Sequence, residues 1–176
     1  MMRTQIPVRR GLVATAFALL LIPAFAGMVL AGPRASIADL RQVTEKYHDI
    51  NAALADGYVF FYKCTEQPGV GTMGQHLVKL SLVGDPSVNA LTPEVLVYAP
   101  KRNGEMKLVA VEYVTLDTSS QPHVLGQPML FRPAGNRYGL PDFYERHAWL
   151  WQGNPRGTFD DWNPDISCLG TGDNGG

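Results

Sequence analysis

Two histidines and two glutamates interrupt apolar, β-branched stretches of this chain, and they carry its clearest chemistry. His76 follows the glycine turn Gly71-Thr72-Met73-Gly74, and His147 lies within Tyr144-Glu145-Arg146-His147-Ala148-Trp149. Glu94 sits in Pro93-Glu94-Val95-Leu96-Val97-Tyr98, and Glu112 in Val109-Ala110-Val111-Glu112-Tyr113-Val114. A carboxylate turned into a core is costly unless it is paired or bound to a metal. If the strands bearing these residues are neighbours with the same sides inward, two imidazoles and two carboxylates converge. Such a nitrogen and oxygen donor set suits Zn, Mn, Fe or Cu. Strand side chains alternate, so each of the four can equally face solvent, or either glutamate can pair with Arg146 or Lys107 across strands. Glu94 and Glu112 also permit a metal-free reading, an acid/base pair of the kind glycosidases use.

The other chemical motifs say less. His48 falls on the polar flank of a helix, and His123 in a proline-rich loop. Gly69-Val70-Gly71-Thr72-Met73-Gly74 is a literal G-x-G-x-x-G. It opens a strand-like stretch instead of a helix, so it reads as a tight turn positioning His76 and not as a dinucleotide cradle. Asp160-Asp161-Trp162-Asn163-Pro164-Asp165 clusters carboxylates without the alternate-ligand order of a calcium loop, and Asx-Pro turn chemistry accounts for it. Trp149, Trp151, Trp162, Tyr138 and Phe143 offer either a ligand-stacking wall or ordinary packing. No Ser-His-Asp or Cys-His nucleophile arrangement is identifiable.

The elements that must position these residues are read from periodicity. Ser36 and Asp39 make a capping-box start. Ile37, Leu40, Val43, Tyr47, Ile50 and Leu54 then recur every three or four residues up to Gly57, predicting one amphipathic helix over residues 37–55. Strands are predicted over 58–63, 76–83, 94–99, 106–116 and 144–151. The Asn103-Gly104 turn joins the third and fourth as a hairpin. Residues 117–142 hold many prolines and glycines and read as loop. The fold class expected is α+β: an N-terminal amphipathic helix packed on an antiparallel sheet that is open or curled, with long Pro/Gly-rich loops.

The ends and the composition point outside the cytoplasm. Arg3, Arg9 and Arg10 precede an apolar run over residues 11–22, and small residues follow, with cleavage expected after Ala31 or Ala26. The expected organisation is therefore a signal peptide over residues 1–31 and one globular domain over 32–176, ordered over about 36–169. Cleavage after Ala31 takes the formal charge from -1 to -4, because three arginines and no acids leave. A mildly acidic chain without basic runs has no electrostatic footprint for nucleic acid, or for a membrane once the signal is removed. Cys64 and Cys168 are the only cysteines. In an oxidising compartment they are expected to form one disulfide.

The segments Thr72-Met73-Gly74-Gln75-His76, Pro93-Glu94-Val95-Leu96-Val97-Tyr98, Leu108-Val109-Ala110-Val111-Glu112-Tyr113 and His147-Ala148-Trp149-Leu150-Trp151 resemble those of a family of exported bacterial proteins of unassigned function. So does the ending Asn154-Pro155-Arg156-Gly157-Thr158-Phe159-Asp160-Asp161-Trp162-Asn163-Pro164-Asp165-Ile166-Ser167-Cys168. The resemblance implies export, to the periplasm or beyond the cell, and a shared domain over residues 36–168. It implies no activity. The functional expectation from the residues is a metal-binding module using His76, Glu94, Glu112 and His147. The alternatives are a non-catalytic envelope protein that binds a small ligand or protein partner, and a metal-free hydrolase built on the glutamate pair.

Overall fold

Ser36 and Asp39 close the capping box, with Asp39 N–H donating to Ser36 Oγ and Ser36 N–H donating to the Asp39 carboxylate. Helix α1 runs Ile37–Thr44, a 3-10 turn follows over Glu45–His48, and α2 covers Ile50–Ala55. The protein is described over residues 34–169, and at Met2 alone before them, in a computed structural model. The signal segment and the Gly-rich end expected to be disordered (170–176) therefore lie outside the described residues, Met2 apart. The single helix expected over 37–55 is broken because Asp49 takes an extended backbone and caps a new helix, its carboxylate accepting from Asn51 N–H at 2.9 Å. The break shifts the apolar stripe. Leu40, Tyr47 and Ala53 are buried, whereas Val43 and Leu54 are exposed. Among the described residues, no helix is long and apolar enough to cross a membrane.

The strands follow as β1 Val59–Gln67, β2 Gly71–Val78, β3 Val95–Pro100, β4 Met106–Thr115, β5 His123–Val124, β6 Gln127–Pro128, β7 Leu130–Arg132 and β8 Phe143–Trp149. A short helix α3, Leu80–Val83, succeeds β2. Six strands form one antiparallel sheet in the order β1-β2-β3-β4-β8-β7, and β5 pairs with β6 separately. The fold is α+β with few helices and a strongly curled, half-barrel sheet. Two boundaries differ from expectation. The glycine turn before His76 is itself part of β2, and the strand ends at Val78, where Lys79 turns the chain into α3. Residues 117–142 also contain three short strands, of which β7 becomes the edge beside β8.

Gly74 shows why that turn needs glycine. Its φ is +109°, and a Cβ there would stand 2.8 Å from the Tyr98 carbonyl oxygen and from Val97 Cγ1. Any other residue would push β2 off β3 just where His76 must be held. Gly71, at φ +147°, lies equally close to the Asn163 backbone, with which Thr72 exchanges both backbone hydrogen bonds.

The two faces of the sheet pack separately. Leu77, Leu96, Tyr98, Val111, Tyr113 and Ala148 form one face, covered by Leu40, Tyr47 and Ala53 from the helical segment. Tyr98 Oη donates to the Tyr47 carbonyl at 2.7 Å, tying helix to sheet. The opposite face carries Val78, Val95, Val97, Ala110, Phe143 and Trp149. Cys64 on β1 and Cys168 near the end are joined in a disulfide with Cα atoms 5.8 Å apart. It fastens the C-terminal segment to the edge of the sheet.

Candidate metal centre

Register places the candidate residues. Glu112 on β4 lies opposite His147 on β8, and also opposite Val95 on β3. Val95 in turn lies opposite Val78 on β2, two residues from His76. Directly paired residues share a face. Glu112, His147 and His76 therefore all project from the Val95–Val97 face. His76 and Glu112 stand on strands with β3 between them, a span of about 9–10 Å that two long side chains can bridge. His76 Nε2 reaches to 3.4 Å from Glu112 Oε2, and His147 Nδ1 lies 3.7 Å from Glu112 Oε1. One donor atom from each of the three falls within 4.8 Å of the others, and all three residues are buried.

Glu94 is not part of this group. Val95 faces Glu112, so Glu94 falls on the helix-covered face, with its carboxylate accepting from Val114 N–H at 3.2 Å. The cause is a bulge. From the Asn-Gly turn the pairing runs Pro100↔Met106 to Tyr98↔Leu108, then shifts by one residue to Val97↔Ala110. Continued without that shift, the turn register would have set Glu94 directly against Glu112. One extra residue, Val109, reverses the outcome. The acid/base pair of Glu94 and Glu112 is lost with it, since the two project from opposite faces.

Three further residues complete the cluster: two not singled out from the sequence, Glu145 and Arg132, and one, Asp161, read there only as part of an Asx-Pro turn. Glu145 precedes His147 by two positions on β8 and so shares its face, a relation that strand alternation already contains. Arg132 at the end of β7 donates from Nε to Glu145 and from Nη2 to Asp161. Asp161 belongs to the acidic turn. There, Asp160 makes the Asx hydrogen bond to Trp162 N–H, while Asp161 Oδ1 lies 3.8 Å from His147 Nδ1. Neither Tyr98 nor Tyr113 on the neighbouring strands reaches the imidazoles. Tyr98 is bonded to Tyr47, and Tyr113 Oη donates to the Ala90 carbonyl on the other face. Of the aromatic residues, Tyr138 and Phe143 line a pocket at the site. Trp149 stacks near His147, Trp151 packs on His48 and Trp162 lies beneath Arg137.

The environment fixes the protonation states. Burial lowers His76 to about 3, with His147 beside it adding to the shift. His147 is lowered chiefly by burial as well. Both rings are thus neutral and their lone pairs available. Burial, the neighbouring Glu145 and the hydrogen bond between the two carboxyls raise Glu112 well above its ordinary value. For Glu145, burial works the other way, but the hydrogen bond from Glu112 and the Arg132 guanidinium hold it low. No ring nitrogen of His76 or His147 has a hydrogen-bond partner. The Gly74 carbonyl favours the His76 cation without closing a bond of normal geometry. Each unpartnered buried polar group costs about 1–3 kcal/mol. Two such rings around a carboxyl are what a cation site requires and what a packed core avoids.

Glu94 supplies a separate pH effect. Burial raises it from 4.5 to about 7, and Asp85 reinforces the shift. A carboxyl whose folded value is raised favours the fold below its unfolded value, and that contribution is lost as pH rises through 7. The span corresponds to about 3 kcal/mol. Glu94→Gln should therefore flatten part of the decline in urea-unfolding stability between pH 5 and 8. Parallel wild-type and variant curves would show that Glu94 does not titrate in this way.

No family model matches this chain, and no curated protein or solved structure matches it either.

Proposed function

We propose that this is an exported metal-binding protein that takes one divalent ion of the Zn, Mn, Fe or Cu group through His76 Nε2, Glu112 and His147 Nδ1. The observation that carries this reading is the pair of buried neutral imidazoles, without hydrogen-bond partners, on either side of a buried carboxyl. Both cysteines are taken by the disulfide, so the donors are nitrogen and oxygen only. The disulfide, the basic and apolar N-terminal segment and the resemblance to exported proteins together support an oxidising compartment.

A bound ion of this kind supplies a Lewis acid. The chain's own residues would orient it and limit access. Glu145, anchored by Arg132, holds the Glu112 carboxyl in place. A pocket of about 60 Å³ lined by Phe61, Val78, Val83, Tyr138 and Phe143 ends at His76 and Glu112. That is room for a few waters or one small polar head. This pocket also favours a compatible second reading, in which a small, largely apolar ligand approaches the same polar groups.

The test is a titration of oxidised, chelator-treated protein with Zn(II), Mn(II), Fe(II) and Cu(II) in turn. One equivalent of at least one ion should bind and raise the melting temperature, since binding only to the folded state stabilises it. Absence of binding by all four would remove the metal reading and leave the ligand pocket.

A further inference from the structure

We propose that Asp161 Oδ1 is a fourth ligand of this centre, so that the bound ion ties the C-terminal segment, residues 154–168, to the sheet. The inference rests on the metal reading above and extends it to a residue outside the strands.

Three observations carry it. The first is distance. Donors sharing one ion at bonds of about 2.1 Å lie about 3.4 Å apart at the tetrahedral angle. Asp161 Oδ1 stands 3.8 Å from His147 Nδ1, against 3.7 Å for Glu112 Oε1 from the same nitrogen. Asp161 is thus as near to that donor as Glu112 is. The second is hydrogen bonding. Asp161 Oδ1 is buried and has no partner, whereas its other oxygen is held by Arg132 Nη2. One oxygen is anchored and the other is left aimed at His147, the division of labour seen when a ligating carboxylate is oriented by an outer partner. Glu112, whose two oxygens face His76 and His147, is likewise braced from outside by Glu145, which is bonded to the same arginine.

The third is charge. On this side of the sheet three carboxylates, Glu112, Glu145 and Asp161, face one guanidinium. Arg146 projects from the other face and donates to the carbonyls of Pro128 and Phe159. With Glu112 ionised, as a metal ligand must be, the local excess is two negative charges, which one divalent cation balances. A buried excess of this kind needs a counter-charge.

The segment bearing Asp161 has little regular structure. It is held by the disulfide, by the Thr72–Asn163 bridge and by Trp149, whose indole N–H donates to the Asp160 carbonyl at 2.6 Å. Coordination would add a fixed point in its middle.

The experiment compares oxidised wild-type protein with Asp161→Asn, which keeps a group able to accept from Arg132. Zn(II) affinity is measured by chelator competition, and the visible spectrum is recorded after Co(II) loading. Asp161→Asn should weaken Zn(II) by about tenfold or more and change the Co(II) band intensity. In the wild type, hydrogen exchange over residues 154–168 should slow on Zn(II) addition. X-ray absorption of the unmodified Zn(II) protein, which needs no variant to fold, should fit two imidazoles and two carboxylates. Wild-type binding with an affinity in Asp161→Asn within twofold would overturn the ligand assignment and leave the three-residue centre standing. Weakened affinity with an unchanged Co(II) spectrum would also overturn it, because Asp161 would then act only through its charge. A wild type that binds neither ion would overturn the ligand assignment, and binding of none of the four ions titrated above would overturn the metal reading as well.

Discussion

His147→Leu should abolish metal binding and, in the same protein, raise the stability of the metal-free fold. His147 is fully buried, and neither ring nitrogen has a hydrogen-bond partner. A neutral imidazole there forfeits a donor and an acceptor, and leucine fills a similar volume with nothing to satisfy. Removing unpartnered polar groups by an apolar side chain of similar shape is neutral to stabilising, here by about 1–3 kcal/mol. Since His147 Nδ1 is central to the donor group, its loss should also remove tight binding. Thermal melts with and without Zn(II) check both halves. The wild type should melt higher with metal than without, whereas the variant should start higher and not respond. A residue that costs stability and is needed for binding has the profile of a functional site. If His147→Leu destabilised the metal-free protein by several kcal/mol, the histidine would be serving the core and not a ligand.

Removing the disulfide should produce the largest loss of stability. Cys64 and Cys168 are separated by 104 positions. In the chain-entropy model a closed loop of that length confers about 4–5 kcal/mol. Cys64→Ala with Cys168→Ala should therefore lower the melting temperature by roughly 10–20 °C for a chain of this size. Chemical unfolding of the double variant beside the oxidised wild type measures it. The metal-free proteins should be compared, because the C-terminal segment also carries Asp161. A loss below about 1 kcal/mol would mean that the Thr72–Asn163 bridge and the Trp149 contacts already hold the segment.

The sequence carried the parts of this fold that are local. Asn103-Gly104 marks the β3–β4 hairpin, and Ser36 with Asp39 marks the start of α1, because both are chemistry within a few residues. Asp49 also lay in plain view. Its capping propensity was outweighed by an apolar period that ran through it, and the continuous helix was wrong for that reason. The site was partly readable. His76, Glu112 and His147 interrupt apolar strands and are brought together, yet their convergence depends on a strand order, β2-β3-β4-β8, that no local pattern sets. Glu94 has the same sequence signature as Glu112 and the opposite fate, decided by one bulged residue. Glu145 could have been found from its i, i+2 relation to His147. Asp161 stood in a carboxylate cluster visible in the sequence, but its approach to the histidines, like that of Arg132, comes from outside the strands that hold them, and only the folded chain brings them there.

The most direct measurement is anomalous diffraction from crystals of the oxidised protein grown with Zn(II), collected on both sides of the zinc absorption edge. The account predicts a single strong peak among His76 Nε2, the Glu112 carboxylate and His147 Nδ1, about 2.0–2.2 Å from each. A peak elsewhere, or none with Zn(II) or with any of the other three ions at its own edge while His76 and His147 keep their buried positions, would contradict it.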